Sequence, residues 1–513
     1  MSQADTIAFL RSGRAFEDDG PVEIIETHGA YVFLSGDTAL KLKRAVTYDY
    51  MDLSTVELRR KMLERELELN SPAAPGIYRD VLPVIRAPDG LSLGGEGEIA
   101  DWVLRMWRFP AENEMDGIAR RGELDDTLAS ATGEAIAAYH RNAPLRDTSG
   151  HRLVSDILSE LIRVFAEFQG TPGTERVADW IEAAGRQLDA VGSLLDARGR
   201  DGHVRRVHGD LHLRNLVVLD GRPLLYDALE FDETLGTCDV LYDVAFLVMD
   251  LCHRGLPRQA CRVLDAWLRE ARGSEDSGLR ALPLFLSVRA AIRAMVSLQT
   301  DAARAGPGRS SSEVASYLDL ALSALRPPPP QLIAVGGYSG SGKSVLARAI
   351  APEFRPLPGA VLLSSDLERK AGLPHQARLD QKEYDAAPRT AVYHRMFDRA
   401  AVLLAAGHSV ILDATFLDPE LRCQARAIAH RLHLPFRTFW LDAPPQILKR
   451  RLESRVGDAS DANVAVLERQ LAAGHGTLSW TRLDASGNRE SVLAAAQRGL
   501  SRRPRDLETD CRT

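Results

Sequence analysis

The sequence predicts a two-domain chain of mixed class, an α+β half followed by an α/β half, and three observations point to it. Four consecutive prolines, Pro327–Pro330, interrupt the chain after Arg326; they forbid helix and favour an extended, semi-rigid spacer. Before them, a strand–turn–strand pattern leads into long helical stretches and then a hairpin flanked by acidic and amide residues. After them, a short apolar strand runs directly into a glycine-rich loop and a helix. The expected division is 1–325, a linker 326–330, a second domain 331–500 and a charged tail 501–513.

Size and composition agree with this division. At 513 residues the chain exceeds what one hydrophobic core holds. Hydrophobic residues at 45% and charged residues at 26% are ordinary for globular proteins. A net charge of -7 provides no global basic field for nucleic acid, leaving only a local basic groove open. The five cysteines lack paired or metal-type spacing, which predicts a reducing, cytoplasmic setting without a disulfide framework. Residues 1–19 carry acids and no apolar core, unlike a signal peptide. The most apolar stretch, Val240–Leu251, is broken by Asp243 and Asp250 and is too short to span a membrane, so no membrane partner is expected.

In the first half, Ala30–Leu34 and Thr38–Lys43 read as strands around a Ser35-Gly36-Asp37 turn. Lys41 and Lys43 are two apart and therefore share a face. A nucleotide domain needs one ammonium on such an inner strand to meet phosphates. Ser54–Asn70 reads as a charged amphipathic helix whose Glu64, Glu66 or Glu68 is placed to hold that lysine. Tyr78–Arg86 and Asp101–Phe109 read as further strands, the second offering backbone groups to an adenine ring where the chain leaves the small lobe. Gly94-Gly95-Glu96-Gly97 does not complete a nucleotide-binding glycine pattern and is expected to be a hairpin turn. Helices follow over about 125–142, 154–169 and 176–197, and again over 312–325.

The chemistry of this half lies in His208-Gly209-Asp210-Leu211-His212-Leu213-Arg214-Asn215, an Asp220-Gly221 turn, and Asp227 at the end of the next strand. Asp210 and Asn215 have the D-x-x-x-x-N spacing in which a carboxylate takes the proton of an attacking hydroxyl and an amide oxygen binds Mg²⁺. Asp227 supplies a second, anionic Mg²⁺ ligand.

These residues resemble the aminoglycoside phosphotransferase family over about residues 20–325, which implies a bilobal protein-kinase-like fold. By that resemblance Asp210 is the catalytic base, and Asn215 and Asp227 are the metal ligands. Lys41 is the first candidate for the phosphate lysine, Lys43 the second, and Glu66 the partner. Asp243 braces the catalytic loop. Leu213-Arg214 stands where antibiotic-modifying members commonly carry Pro-Gly, so an antibiotic acceptor does not follow.

In the second half, the strand Gln331–Gly336 opens into Gly337-Tyr338-Ser339-Gly340-Ser341-Gly342-Lys343-Ser344 and a helix over 344–354. Gly337, Ser339, Gly340, Ser341 and Gly342 are expected to present backbone N–H groups to phosphate, aided by the helix N-terminus. Lys343 would reach the β/γ-phosphates of ATP and Ser344 would hold Mg²⁺. Downstream, Val361–Ser365 is a strand leading to Asp366, with Arg369 three residues on. Asp366 fits an acceptor-side base and Arg369 an anion contact, although a helix N-cap explains Asp366 equally. A second buried strand ends at Asp413, near the metal position. The basic helix Pro445–Arg455 carries Arg450, Arg451 and Arg455 where a lid would close on the phosphates.

This half resembles the polynucleotide-kinase and zeta-toxin group of P-loop kinases over about residues 331–500, implying a parallel sheet flanked by helices. The resemblance makes Asp366 the base, Arg369 a substrate contact, and Arg451 or Arg455 the lid arginine. The whole chain resembles bacterial fusions of an aminoglycoside phosphotransferase-like domain with an ATP-binding kinase domain. Together these readings predict two Mg·ATP sites, each phosphorylating a hydroxyl of a small-molecule or nucleotide-like acceptor. The rival expectation is that one half is a silent nucleotide-binding module, since Gly29 alone stands where a phosphate-covering loop takes several glycines.

Overall fold

The computed structural model describes residues 3–18, 20–48, 51–87, 90–303, 310–370, 386–454 and 463–501. It divides into two compact units, one of residues 1–150 and 199–247, the other of residues 151–198 and 248–513. The proline run 327–330 lies within the second of these units. Helices from before the prolines group with the second unit.

The first unit opens with helix α1 (Ala4–Arg11), then β1 (Glu23–Glu26), β2 (Ala30–Ser35) and β3 (Thr38–Lys43). A small pairing of β4 (Thr47–Tyr48) with β5 (Met51–Asp52) precedes α2 (Val56–Asn70), whose Thr55 side chain accepts from Leu58 N as an N-cap. Then come β6 (Tyr78–Ala87), β7 (Gly90–Leu93) and β8 (Glu98–Trp107). Six strands form one antiparallel sheet in the order β1-β2-β3-β8-β6-β7. Period-two alternation on β3 sends Leu40 and Leu42 into a core with Phe9, Phe33, Val84 and Val103. It leaves Lys41 and Lys43 on the opposite face, the face of α2. Strand β7 was not anticipated. Because β7 and β8 flank β6, Gly94–Gly97 is a connection from one side of β6 to the other, which corrects the hairpin-turn expectation.

Helices α3 (Met115–Arg120) and α4 (Asp126–Asn142) lead towards β9 (Val204–Arg206), β10 (Leu216–Leu219), β11 (Arg222–Leu225) and β12 (Thr237–Asp239). Asp220 and Gly221 form the β10–β11 turn, with φ of 50° and 72°. Positive φ at both central residues matches the turn twist to the strand twist and pairs Leu219 with Arg222. This hairpin sets Asn215 and Asp227 at the outer ends of adjacent strands.

In the second unit, α5 (Gly150–Glu167), α6 (Val177–Arg200), α7 (Val240–His253), α8 (Pro257–Glu270), α9 (Leu282–Ala303) and α10 (Ser311–Ala324) precede the prolines, with α6 and α7 crossing the division between units. The sheet that follows holds β13 (Leu332–Gly337), β14 (Val361–Ser364), β15 (Val410–Asp413), β16 (Phe436–Asp442) and β17 (Thr481–Asp484). All pair in parallel, in the order β14-β15-β13-β16-β17. Around it lie α11 (Lys343–Ile350), α12 (Ser365–Arg369), α13 (Ala386–Ala405), α14 (Pro419–Arg431), α15 (Pro445–Glu453), α16 (Val464–Ala473) and α17 (Arg489–Leu500). The predicted helix 344–354 ends earlier, at Ile350, where a short 3₁₀ turn containing Pro352 takes over.

Helices from before the prolines complete this second core. Cys261 of α8 packs with Ile333, Ile350 and Leu362, and Asp265 accepts from Leu362 N at 3.0 Å. That bond engages edge strand β14, which would otherwise present an unpaired N–H. Arg399 of α13 forms a bidentate pair with Asp276 at 2.7 and 2.9 Å, and His408 Nε2 meets Leu279 O at 2.9 Å. Among the described residues, one helical stretch, Asp276–Ala303, is both long and apolar. Its length and composition suffice to cross a membrane, yet 78% of its most apolar window is buried within the protein. Among the described residues, Cys238, Cys252 and Cys261 are free.

Burial pulls the His408 pKa down from 6.5 to about 4, against the favourable bond to Leu279 O. The unfolded chain therefore binds a proton below about pH 6.5 that the folded chain refuses until about pH 4. Stability from this group is complete above that window and falls as pH drops through it, by about 1.4 kcal/mol per pH unit. Denaturant titrations at pH 7 and 5 should show His408→Gln losing about 2 kcal/mol less than the parent chain on acidification.

Candidate functional site

The first site is assembled wholly within the first unit. Lys41 Nζ lies 2.7 Å from Glu66 Oε1 and 2.8 Å from Asp227 Oδ1. Lys43 Nζ lies 2.7 Å from Glu66 Oε2 and 2.5 Å from Glu230 Oε1. Glu66, fully buried, thus holds one lysine on each carboxylate oxygen. The geometry separates the two lysine candidates: Lys41 reaches the carboxylate expected to hold Mg²⁺, whereas Lys43 is buried against Glu230. Burial opposes both ammonium charges, but the surrounding carboxylates win. Asp227, Glu66 and Glu230 raise the Lys41 pKa well above its ordinary value, and Glu230 and Glu66 raise that of Lys43. Burial likewise disfavours the charged Asp227, and Lys41 outweighs it, leaving its pKa lowered.

Asp227 has a positive φ of 59°, uncommon outside glycine. Tyr78 Oη accepts its N–H at 3.0 Å, and Asn70 Oδ1 accepts Ala228 N at 2.8 Å, so α2 and β6 hold the strained turn. Asn215 Nδ2 donates to Asp210 O at 2.9 Å and to Asp210 Oδ2 at 3.0 Å. With that nitrogen committed, the amide oxygen is the ligand atom Asn215 offers to a cation. Beneath the loop, buried Asp243 accepts Gly209 N at 2.9 Å and His208 N at 3.3 Å, and meets His140 Nε2 at 3.0 Å. His208 meets Tyr226 O through Nε2 and Asp210 N through Nδ1, partners that select the neutral tautomer protonated on Nε2. Burial lowers its pKa despite Asp243. His208 therefore ties the Asp210 backbone to the strand entering Asp227, and Asp243 fixes the loop from below.

The second site lies at the carboxyl end of β13. Gly340 and Gly342 have φ of 83° and 92°, and a Cβ on Gly340 would stand 2.9 Å from Leu448 O. The loop closes onto α11, where Lys343 Nζ donates to Tyr338 O at 3.0 Å. Ser344 Oγ donates to Asp413 Oδ2 at 2.6 Å, bringing together the two expected metal-side groups. Burial raises the Asp413 pKa, with Lys343 and the Ser344 bond pulling the other way. Asp366 Oδ1 and Arg369 Nη1 are 3.0 Å apart. Glu368, between them on α12, pairs with Arg399.

Loop residues 339–344, Asp366, Arg369, Asp413 and Arg451 all line one cavity of about 1180 Å³. Arg451 Nη2 donates to Gly487 O at 3.3 Å, and Arg455 lies outside the described residues. Arg422, on α14, is a buried clamp. It donates to the carbonyls of Phe416, Leu417, His475 and Thr477.

Among the described residues, no group of three or more His, Cys, Asp and Glu gathers into a metal cage. Mg²⁺ needs none, because it binds through one or two protein oxygens plus phosphate and water. The Asn215–Asp227 and Ser344–Asp413 oxygens fit that demand. Sequence reading missed Tyr78, Asn70, Glu230, His140 and Gln470. Each acts through a contact made by folding, and none belongs to a motif.

Residues 79–281 match the model of the phosphotransferase enzyme family, and residues 332–475 match that of the AAA domain. The chain thus joins an aminoglycoside-phosphotransferase-like kinase domain to a P-loop ATP-binding domain. An uncharacterized protein of Mycobacterium tuberculosis (strain H37Rv) is 29% identical over 499 residues, covering 93% of this chain and 95% of its own length. One from Mycobacterium bovis matches to the same extent. Among solved structures, a choline/ethanolamine kinase family protein from Mesorhizobium loti is 15% identical, with a TM-score of 0.38, over 63% of this chain and 99% of its own. A gluconokinase from Sinorhizobium meliloti 1021 is 22% identical, with a TM-score of 0.25, over 34% of this chain and 94% of its own.

The two lysines of the first site should respond differently to removal. Lys41→Met should weaken ATP binding there by about tenfold or more, the loss of one charge-assisted contact. Lys43→Met should instead cost stability, about 3 kcal/mol, by leaving buried carboxylates short of a cation. Nucleotide titration and denaturant unfolding of both variants check this.

Proposed function

We propose that this chain is an ATP-dependent phosphotransferase with two Mg·ATP sites, each passing a γ-phosphoryl group in line to an acceptor hydroxyl. The observation that carries the reading is the convergence of Lys41, Glu66, Asp227, Asp210 and Asn215, drawn from four separate segments into one cluster. At the first site, Lys41 orients phosphate while Glu66 keeps it in place. Asp210, held by Asn215, takes the acceptor proton. Mg²⁺ bound through Asn215 and Asp227 would supply neutralisation of phosphate charge.

At the second site, the loop N–H groups and Lys343 bind phosphate, and Ser344 with Asp413 would hold Mg²⁺. Asp366 takes the acceptor proton, and Arg369 orients the acceptor and that carboxylate. This assignment places the second domain with P-loop kinases of the polynucleotide-kinase and zeta-toxin type. Arg451, or Arg455, serves as the lid arginine. Positioning and fixed charge do most of the work in such transfers. The acceptors are small or nucleotide-like alcohols, since no basic–aromatic stripe for a polynucleotide is visible in the sequence. The cytoplasm, where ATP is available, is the proposed setting. The competing reading, in which one domain only binds nucleotide to regulate the other, draws on the β1–β2 turn, where Gly29 is the one glycine.

Phosphorylated products formed from a metabolite extract with ATP, read as a mass gain of one phosphate, distinguish the two readings. Asp210→Ala and Lys343→Ala should each remove a different set of products, with rates falling by about 10²–10⁴-fold. If Asp210→Ala leaves every product unchanged while Lys343→Ala removes them all, the first domain is not an enzyme.

A further inference from the structure

One peptide unit of the phosphate loop is gripped from both sides. Its carbonyl, Tyr338 O, accepts the Lys343 ammonium at 3.0 Å. Its N–H, on Ser339, donates to Gln470 Oε1 at 2.9 Å, and Gln470 Nε2 donates in turn to Ser339 Oγ at 3.0 Å. Gln470 belongs to α16, far downstream in sequence. Val466, Arg469, Gln470 and Ala473 all line the same cavity as the loop. Their i, i+3, i+4, i+7 spacing makes them one helical face, and Gln470 is the residue on it that reaches the loop backbone.

Position along the loop gives this contact its meaning. Lys343 is the group that reaches the β/γ-phosphates, so the peptide its ammonium touches lies at the terminal-phosphate end of the cradle. The β-phosphate end is the N-terminus of α11, where Gly342 is the N-cap. A terminal phosphate drawn to Lys343 therefore meets the Ser339 N–H already bonded to an amide oxygen, a neutral acceptor in the place of an anionic one. The segment after α16 is held by Arg422 through His475 O and Thr477 O. This leaves rotation of the Gln470 side chain as a sufficient way to release the N–H.

We propose that Gln470 is a triphosphate-discriminating residue of the P-loop site, its side-chain amide competing with the γ-phosphate, and not with the β-phosphate, for the Ser339 N–H. The inference rests on the reading of this loop as an ATP site. It predicts that ATP, unlike ADP, binds against the loss of two hydrogen bonds, and that this loss can be removed by mutation.

Calorimetric titration of the full chain with Mg·ATP and with Mg·ADP tests it, in a Lys41→Met background that weakens binding at the first site. Gln470→Ala should tighten ATP by about five- to tenfold while ADP stays within about twofold, the scale of one to two hydrogen bonds. Gln470→Glu keeps an acceptor for the Ser339 N–H but adds a charge facing the γ-phosphate, so ATP should weaken more than ADP. Equal shifts for the two nucleotides, or weaker ATP binding in Gln470→Ala, would overturn the proposal alone. A Lys41→Met chain that binds neither nucleotide at the loop, with Lys343→Ala changing nothing further, would overturn the reading of the loop as an ATP site, and the proposal with it.

Discussion

The lysine side of the first site depends on Glu66, a carboxylate removed from water that holds an ammonium group on each of its oxygens. A buried charge is tolerated only where opposite charge and hydrogen bonds surround it. Glu66 meets that demand by sitting on α2 opposite the lysine-bearing face of β3. The alternation of β3 then decides the rest, since Leu40 and Leu42 must enter the apolar core on the other side. Lys41 is consequently aimed at Asp227, and Lys43 is left to Glu230. On the proposed role of Lys41, an arriving phosphate would find the cation already fixed, so little reorganisation would accompany binding.

The P-loop site solves the same problem with different parts. Its lysine, Lys343, rests on a backbone carbonyl, and the proposed metal-side hydroxyl, Ser344, is bonded to the strand-end carboxylate of Asp413. Positive-φ glycines let the loop fold back on itself, where a side chain at Gly340 would strike the carbonyl of Leu448. The proposed acceptor-side pair Asp366–Arg369 is carried on a helix of only five residues. Such a short helix has little intrinsic stability. Its Glu368 is anchored by Arg399, which is itself held by Asp276 from before the prolines. The helix that carries the proposed acceptor-side pair is thus anchored through Arg399 to a residue that precedes the prolines.

Much of this was legible in the sequence because it rests on short-range pattern. Period-two alternation located β2 and β3, the strand–loop–helix order located the P-loop, and Asp220-Gly221 located the hairpin that spaces Asn215 from Asp227. The failures were of longer range. Strand β7 has only four residues and no strong alternation, so its glycine-rich exit was read as a hairpin. The packing of Cys261 and Asp265 with the sheet after the prolines, and of Asp276 with Arg399 of α13, is likewise made only by folding. Gln470 carried no signal at all, since a glutamine on an amphipathic helix is an ordinary surface residue until folding brings it to Ser339. Between Lys41 and Lys43, both on one face by spacing, only the positions of Asp227 and Glu230 make the distinction.

The central claim is that one chain carries two independent sites for Mg·ATP. Equilibrium binding of a non-hydrolysable ATP analogue with Mg²⁺, counted per chain, tests it most directly. The account predicts two equivalents bound by the parent protein, one by Asp227→Ala, one by Lys343→Ala, and none by the double variant at concentrations that saturate the parent. A single equivalent in the parent, unaffected by one of the two substitutions, would contradict it.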